Sequence, residues 1–126
     1  MPCPHCKITI IKRSNNESAV SAAAYQSGEK LFSEYDQEQK YYPYKNEVTH
    51  KEIMLPPHVP PEFADRNTLW NSAEAQEKQW NSQLARRFVL AIPREIPPGQ
   101  YADLIRDYCR EFFVSKGMVV DFAIHD

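Results

Sequence analysis

Met118-Val119-Val120-Asp121-Phe122-Ala123-Ile124-His125 alternates between two kinds of side chain. Successive side chains of a strand point to opposite faces, so Met118, Val120, Phe122 and Ile124 form one apolar face. Val119, Asp121, Ala123 and His125 form the other. Asp121 and His125 share that second face, which is therefore either a solvated strand end or a site, and not a second core. A strand with one apolar face needs a helix or a sheet packed on it, which sets the expected architecture as strands under helices.

Working back along the chain, Gly117 ends a helix that starts at Pro97-Pro98-Gly99. Its expected buried face is Tyr101, Leu104, Ile105, Tyr108, Phe112 and Phe113. Leu84 to Ile92 reads as a strand. Arg86, Phe88, Leu90 and Ile92 fall on one face, with Ala85, Arg87, Val89 and Ala91 on the other. A long helix is expected from about Pro61 to Lys78, with Glu62 and Asp65 favourable near its positive end. Its apolar stripe is Phe63, Trp70, Ala73 and Trp80, while Glu74 and Glu77 read as solvated surface. Val48 to Leu55 is a further strand.

Residues 29–47 are polar and rich in tyrosine, and read as a mobile loop or short hairpin. Tyr35, Tyr41, Tyr42 and Tyr44 could stack on bases of single-stranded nucleic acid, but few basic residues accompany them in sequence. Ser18 to Gly28 reads as an alanine-rich helix, with Ser18 as N-cap and Gly28 as C-terminal stop. Tyr25 near its end has the pattern of a core aromatic with a polar tip. Lys7 to Lys12 is the first strand, closed by the turn Arg13-Ser14-Asn15-Asn16. The order is β-α-(hairpin)-β-α-β-α-β. It predicts an α+β fold, a mainly antiparallel sheet with helices packed on it, in one domain over residues 1–126.

Composition narrows the class without naming it. The 126 residues are 42% hydrophobic and 25% charged, as in ordinary globular proteins. No apolar run reaches bilayer length and no secretory pattern opens the chain, so a cytoplasmic protein with no membrane partner is expected. A net charge of −2 argues against holding nucleic acid by bulk charge, although a local patch can still do so. Cys3 and Cys6 have C-x-x-C spacing, but no second pair closes a tetrahedral zinc site, so a structural or incidental role is expected.

Read together, these segments resemble the MobA/MobL family of conjugative relaxases. The resemblance rests first on Lys12-Arg13-Ser14 and on Ser18-Ala19-Val20-Ser21-Ala22-Ala23-Ala24-Tyr25-Gln26-Ser27-Gly28-Glu29. His50-Lys51-Glu52-Ile53-Met54-Leu55-Pro56 follows in family order. So do Asp65-Arg66, Leu69-Trp70-Asn71, Glu74, Glu77-Lys78, Gln83-Leu84-Ala85-Arg86 and Ile92-Pro93-Arg94-Glu95. Gly117 to Asp126 completes it.

The resemblance implies the N-terminal part of a nickase domain of the HUH type. In that family a tyrosine attacks one phosphodiester at a transfer origin and forms a covalent 5′-phosphotyrosine. Three histidines hold a divalent metal, magnesium or manganese, against the scissile phosphate. By this resemblance Tyr25 matches the nucleophile and His125 the first histidine, with Asp121 as possible support. The implied partners are single-stranded origin DNA and other relaxosome proteins. Lys12, Arg13, Arg86 and Arg87 are the candidate phosphate contacts.

Two departures from the family stand out. The other two histidines form a His-x-His pair beyond His125, and the sequence reads as truncated before that strand. The chain alone is then expected to be inactive, and the last strand to expose an edge that lowers stability or favours self-association. Arg87 stands where relatives carry glutamate, and its charge favours phosphate over metal. The alternative expectation is a catalytically dead DNA-binding remnant or regulator.

Overall fold

The structure is a computed structural model that describes residues 6–42, 48–77, 79 and 82–125. Cys3, His5, Tyr44, Lys78, Trp80 and Asp126, which figure in the sequence reading, lie outside the described residues.

The expected α+β order is observed. Strand β1 (Cys6–Lys12) leads through a short 3-10 turn into helix α1 (Ala19–Ser27). A hairpin follows, β2 (Leu31–Ser33) and β3 (Glu38–Lys40), then strand β4 (Val48–Met54). Helix α2 (Arg66–Gln76) precedes β5 (Gln83–Leu90), and helix α3 (Tyr101–Phe112) precedes β6 (Val120–His125). Hydrogen bonding groups the described strands into three antiparallel pairs: β1 with β5, β2 with β3, and β4 with β6. No helix among the described residues is long and apolar enough to cross a membrane.

The last strand divides the molecule as its alternation requires. Val120, Phe122 and Ile124 pack with Met54 of β4 and with Ile105, Cys109 and Phe113 from the α3 side. The opposite face of β6 meets α1 and α2 through Asp121. Burial pushes the Cys109 thiol up from its ordinary pKa, so it stays a protonated core side chain.

Helix α1 is short and built from small residues, and that lets neighbouring elements approach closely. Val20, Ala23 and Ala24 bury against Leu31 of the hairpin and against Tyr42 and Trp70. Ala19 joins Ile11 and Leu84 beneath it, tying the β1–β5 pair to the same helix. Gly28 caps α1 at φ +73°, a left-handed conformation that glycine adopts without a Cβ penalty.

Four expectations are corrected. The long helix begins at Arg66, because the Asp65 side chain accepts the Thr68 N–H and caps it; residues Pro61–Ala64 form a separate 3-10 turn. Glu74 is buried, not solvated. Its Oε1 accepts from the Ala19 N–H at 2.8 Å and from the Ser18 hydroxyl at 2.9 Å, so it neutralises the positive end of α1. Helix α3 buries Cys109 and only partly covers Ile105 and Phe113, while Leu104, Tyr108 and Phe112 stay exposed. Met118, expected on the core face, precedes β6 and is exposed as well.

An ion pair ties α3 to β4. Glu52 accepts from Arg106 Nε at 2.8 Å and Nη2 at 2.7 Å, and His50 Nε2 lies 3.1 Å from it. The Arg106 guanidinium holds the Glu52 carboxyl down to about 2, against about 4.3 for an unfolded glutamate. A depressed carboxyl stabilises the fold fully above its unfolded pKa, and that contribution is lost as pH falls toward the folded value. The thermal midpoint is therefore expected to fall between roughly pH 4.5 and pH 2. Glu52→Gln, followed by circular dichroism across that window, should flatten the fall; an unchanged slope would show that the pair does not contribute.

Candidate active site

The C-terminal turn of α1 carries Tyr25 and Gln26 to the edge of the β4–β6 pair. Ser18 caps the helix start by accepting the Ser21 N–H at 3.1 Å, and Gly28 ends it two residues after Gln26. Tyr25 is 38% exposed. Its ring leans on Tyr42, with centroids 5.9 Å apart, and the Tyr42 hydroxyl donates to Ser21 Oγ at 3.4 Å. The pattern reading of Tyr25 as a core aromatic is therefore half right: one side is packed and the rest is open to solvent.

His125 closes on the same turn. Its Nε2 lies 2.6 Å from the Gln26 carbonyl oxygen, on the residue next to Tyr25. A carbonyl only accepts, so Nε2 carries the proton, and in the neutral ring Nδ1 holds the free lone pair. Gln26 returns a second bond to the strand, its Nε2 donating to the Asp121 carbonyl at 2.9 Å. The nucleophile candidate and the histidine candidate thus sit at one corner, where α1 crosses the end of β6.

Asp121 shares the His125 face of β6, as the alternation requires, but its carboxylate is occupied. Arg66 Nε donates to Oδ1 at 3.0 Å and to Oδ2 at 2.8 Å, Arg66 Nη2 to Oδ1 at 2.8 Å, and Trp70 Nε1 to Oδ2 at 2.8 Å. The Asp121 side chain is 1% exposed and that of Arg66 7%. Arg66 Nη1 also pairs with Glu29 at 2.5 Å, and Glu29 takes Lys51 at 2.8 Å. The carboxylates of Asp121 and Glu29 outweigh the penalty of burying the guanidinium and raise the Arg66 pKa. The network anchors α2 to β6 and to the residue after the α1 cap.

The donor set does not complete a metal site. Among the described residues no three His, Cys, Asp or Glu side chains are grouped to share a cation. His125 is the imidazole at the corner, and the Asp121 oxygens are filled by donors that a cation would have to displace. His50 pairs opposite Ile124 and bonds Glu52, and His58 lies beside Gly117.

The four basic candidates fare differently. Arg13 is buried, which corrects its reading as a phosphate contact. Its guanidinium donates to the carbonyls of Glu77 at 2.7 Å, Gln79 at 3.1 Å and Glu74 at 3.1 Å. Tyr35 covers it with the ring centroid 4.4 Å from Cζ. It satisfies carbonyls at the end of α2, which an α-helix leaves unpaired. Lys12 is half-buried where the β1 register shifts. Arg86 and Arg87 are exposed and lie opposite Ile10 and Thr9. Adjacent strand residues face opposite ways, so the two arginines cannot serve one surface. Arg87 shares the face of Ile11 and Ala85, the face that packs on α1.

Arg66 and Glu29 carried no expected role and Trp70 only that of an apolar stripe residue, although each lies within the strings that carry the resemblance. Spacing holds no signal for them, because Arg66 and Asp121 are 55 residues apart.

The sequence profile of the MobA/MobL family matches residues 17–126. A conjugal transfer protein TraA of Agrobacterium fabrum is 35% identical over 138 residues, covering 100% of this chain and 12% of that protein. A probable mobilization protein MobA of Bifidobacterium longum is 30% identical over 122 residues, covering 97% of this chain and 22% of its own length. A mobilization protein MobL of Acidithiobacillus ferridurans is 32% identical over 121 residues, 96% of this chain and 31% of its own length. A structure solved for the molecular basis of vancomycin resistance transfer in Staphylococcus aureus superposes with a TM-score of 0.90 at 30% identity, covering 97% of this chain and 62% of that one. The chain therefore spans less than a third of each of these curated relatives.

Proposed function

The chain belongs to the MobA/MobL family, and on that premise we propose that it is the nucleophile-bearing part of a nickase domain acting on a transfer origin in plasmid or mobile-element DNA. The observation that carries the proposal is the corner where His125 bonds the backbone beside a solvent-open Tyr25.

In this reading the Tyr25 oxygen attacks one phosphorus of a single strand as its proton leaves. The new bond joins Tyr25 to the 5′-phosphate. The bond to the 3′-oxygen breaks, and that oxygen takes up a proton to become a free 3′-hydroxyl. One phosphodiester replaces another, so resealing needs no outside energy. The bond that the Gln26 carbonyl accepts from His125 and the one its side chain donates to the Asp121 carbonyl orient the turn that holds the phenol. Members of the family act with a divalent metal, which would supply Lewis-acid chemistry at the scissile phosphate, and His125 is the candidate ligand among the described residues.

The test is a covalent adduct. The chain, joined to a segment bearing the His-x-His pair that the resemblance implies, is incubated with single-stranded origin DNA and manganese. A DNA-bound species that survives denaturing electrophoresis supports the reading, and its loss in Tyr25→Phe assigns the residue. No adduct under any metal would overturn it.

A second reading, a DNA-binding remnant or regulator, is favoured by the Asp121 carboxylate, whose oxygens are taken by Arg66 and Trp70. Both readings need phosphate contacts, and the face of Arg87 selects it over Arg86. Neutralising one phosphate of a single strand changes the salt slope of log affinity by about 0.7. Arg87→Ala is expected to reduce the slope by about that amount in titrations from low to moderate salt. Arg86→Ala serves as the control and should leave it in place. Equal slopes for all three proteins would remove Arg87 from the interface.

A further inference from the structure

The tyrosine-rich stretch has few basic neighbours in sequence, and folding brings two lysines distant along the chain to one of its rings. Tyr41 follows the β2–β3 hairpin and is 49% exposed. Lys30, eleven residues earlier, places Nζ 5.4 Å from the Tyr41 ring centroid. Lys51, ten residues later, lies in the same cleft and reaches the Ser27 carbonyl at 3.4 Å. The cleft encloses about 480 Å³ between the end of α1, Tyr41 and the start of β4, a size suited to a small ligand.

This cleft adjoins the candidate active site. Ser27 follows Gln26, whose carbonyl takes the His125 bond, and Val48 pairs directly with His125 across the ladder. The β4 register slips between Val48 and His50 and drops Thr49 out of the pairing. Such bulges re-aim side chains at sheet ends, and Thr49 is exposed in the cleft. Glu29 offsets Lys51, but it also serves Arg66. Among the described residues the corner thus gathers three cations, Lys30, Lys51 and Arg66, against the two carboxylates Glu29 and Asp121. The surplus lies at Lys30, over the ring.

We infer that this cleft is a nucleotide subsite, taking one unstacked base of single-stranded DNA on the Tyr41 ring, with the adjoining phosphates at Lys30 and Lys51. The inference deepens the proposed function and rests on it in one respect, that the chain handles single-stranded DNA. Aromatic stacking tolerates any base, so the subsite holds the strand in place and does not read its sequence.

The probe is a mixed-sequence single strand of about 15 nucleotides, near the upper site size of compact single-strand binders, with 5-iododeoxyuridine in place of thymidine. Irradiation should link it to the peptide containing Tyr41, because this base couples to the aromatic ring it stacks on. Tyr41→Ala should weaken binding about tenfold and remove that crosslink. Tyr41→Phe should keep both, since the ring and not the hydroxyl does the stacking. Crosslinks confined to other aromatics, or unchanged affinity in Tyr41→Ala, would overturn the subsite while leaving DNA binding intact. A wild-type protein that binds no single strand at all would instead overturn the reading beneath it. Circular dichroism of Tyr41→Ala checks folding, and the wild-type crosslink decides the matter if that variant fails to fold.

Discussion

Tyr25→Phe is expected to reduce covalent adduct formation by at least about a thousandfold, the scale on which losing an essential nucleophile shows in kinetics, while single-strand affinity changes less than about twofold. The substitution removes one oxygen and keeps the ring that leans on Tyr42, so the packed side of the residue is undisturbed. Affinity comes from phosphates and stacking, and the hydroxyl contributes to neither. The split between chemistry and binding is therefore the signature to measure, with adduct yield on denaturing gels beside fluorescence anisotropy on the same preparation. If affinity and adduct fell together, Tyr25 would be a binding residue. If the adduct survived, the nucleophile would be another side chain, and the neighbouring Tyr42 would be the first to replace.

Asp121→Ala is expected to destabilise the chain by about 3–5 kcal/mol, the range for removing one partner of a buried ion pair. The carboxylate is 1% exposed and accepts from both Arg66 and Trp70. Its loss leaves Arg66 buried with Glu29 alone. Asp121→Asn should also be costly, because an amide oxygen accepts but carries no charge to offset the guanidinium. Replacing Arg66 and Asp121 together by apolar residues of similar volume should recover most of the loss, since an apolar pair does not require desolvated charge. Urea titrations of the two single variants and the double variant supply the cycle. A cost under about 1 kcal/mol for Asp121→Ala, the level of a surface pair, would mean that the network does not hold α2 to β6.

The two experiments bear on each other through Gln26. Its side chain holds the Asp121 backbone and its carbonyl holds His125, so weakening the Asp121 anchor should also loosen the turn that presents Tyr25. The site candidates are thus tied through Gln26 to the strand that carries the buried Arg66–Asp121 pair.

Most of the element order was legible in the sequence, because it depends on local periodicity. The alternation from Val120 to Ile124 and the Ser18 and Gly28 caps each act within a few residues, whereas Gly117, expected to end α3, closes a separate 3-10 turn (Val114–Lys116) after α3 has ended at Phe112. The same locality misled the reading of α2 and α3. A helical stripe of Leu104, Tyr108 and Phe112 says that one face is apolar, but only the packing of neighbours decides how much of it is covered. Glu74 and Glu77 sit one turn apart in equivalent sequence surroundings. One is sealed against α1 and the other is exposed, and nothing in their spacing separates them.

The sequence by itself determined the fold class, the family and the two residues nominated for chemistry, Tyr25 and His125. Tertiary structure decided what each charge does. It turned Arg13 from a phosphate contact into the seat for α2 carbonyls, and Asp121 from a metal support into the partner of Arg66. It put Lys30 and Lys51, each ten or more residues away along the chain, at Tyr41 and its cleft. Periodicity and caps are short-range and can be read along one dimension, whereas an ion pair joins residues by distance in three, after the chain has closed loops that its sequence spacing does not reveal.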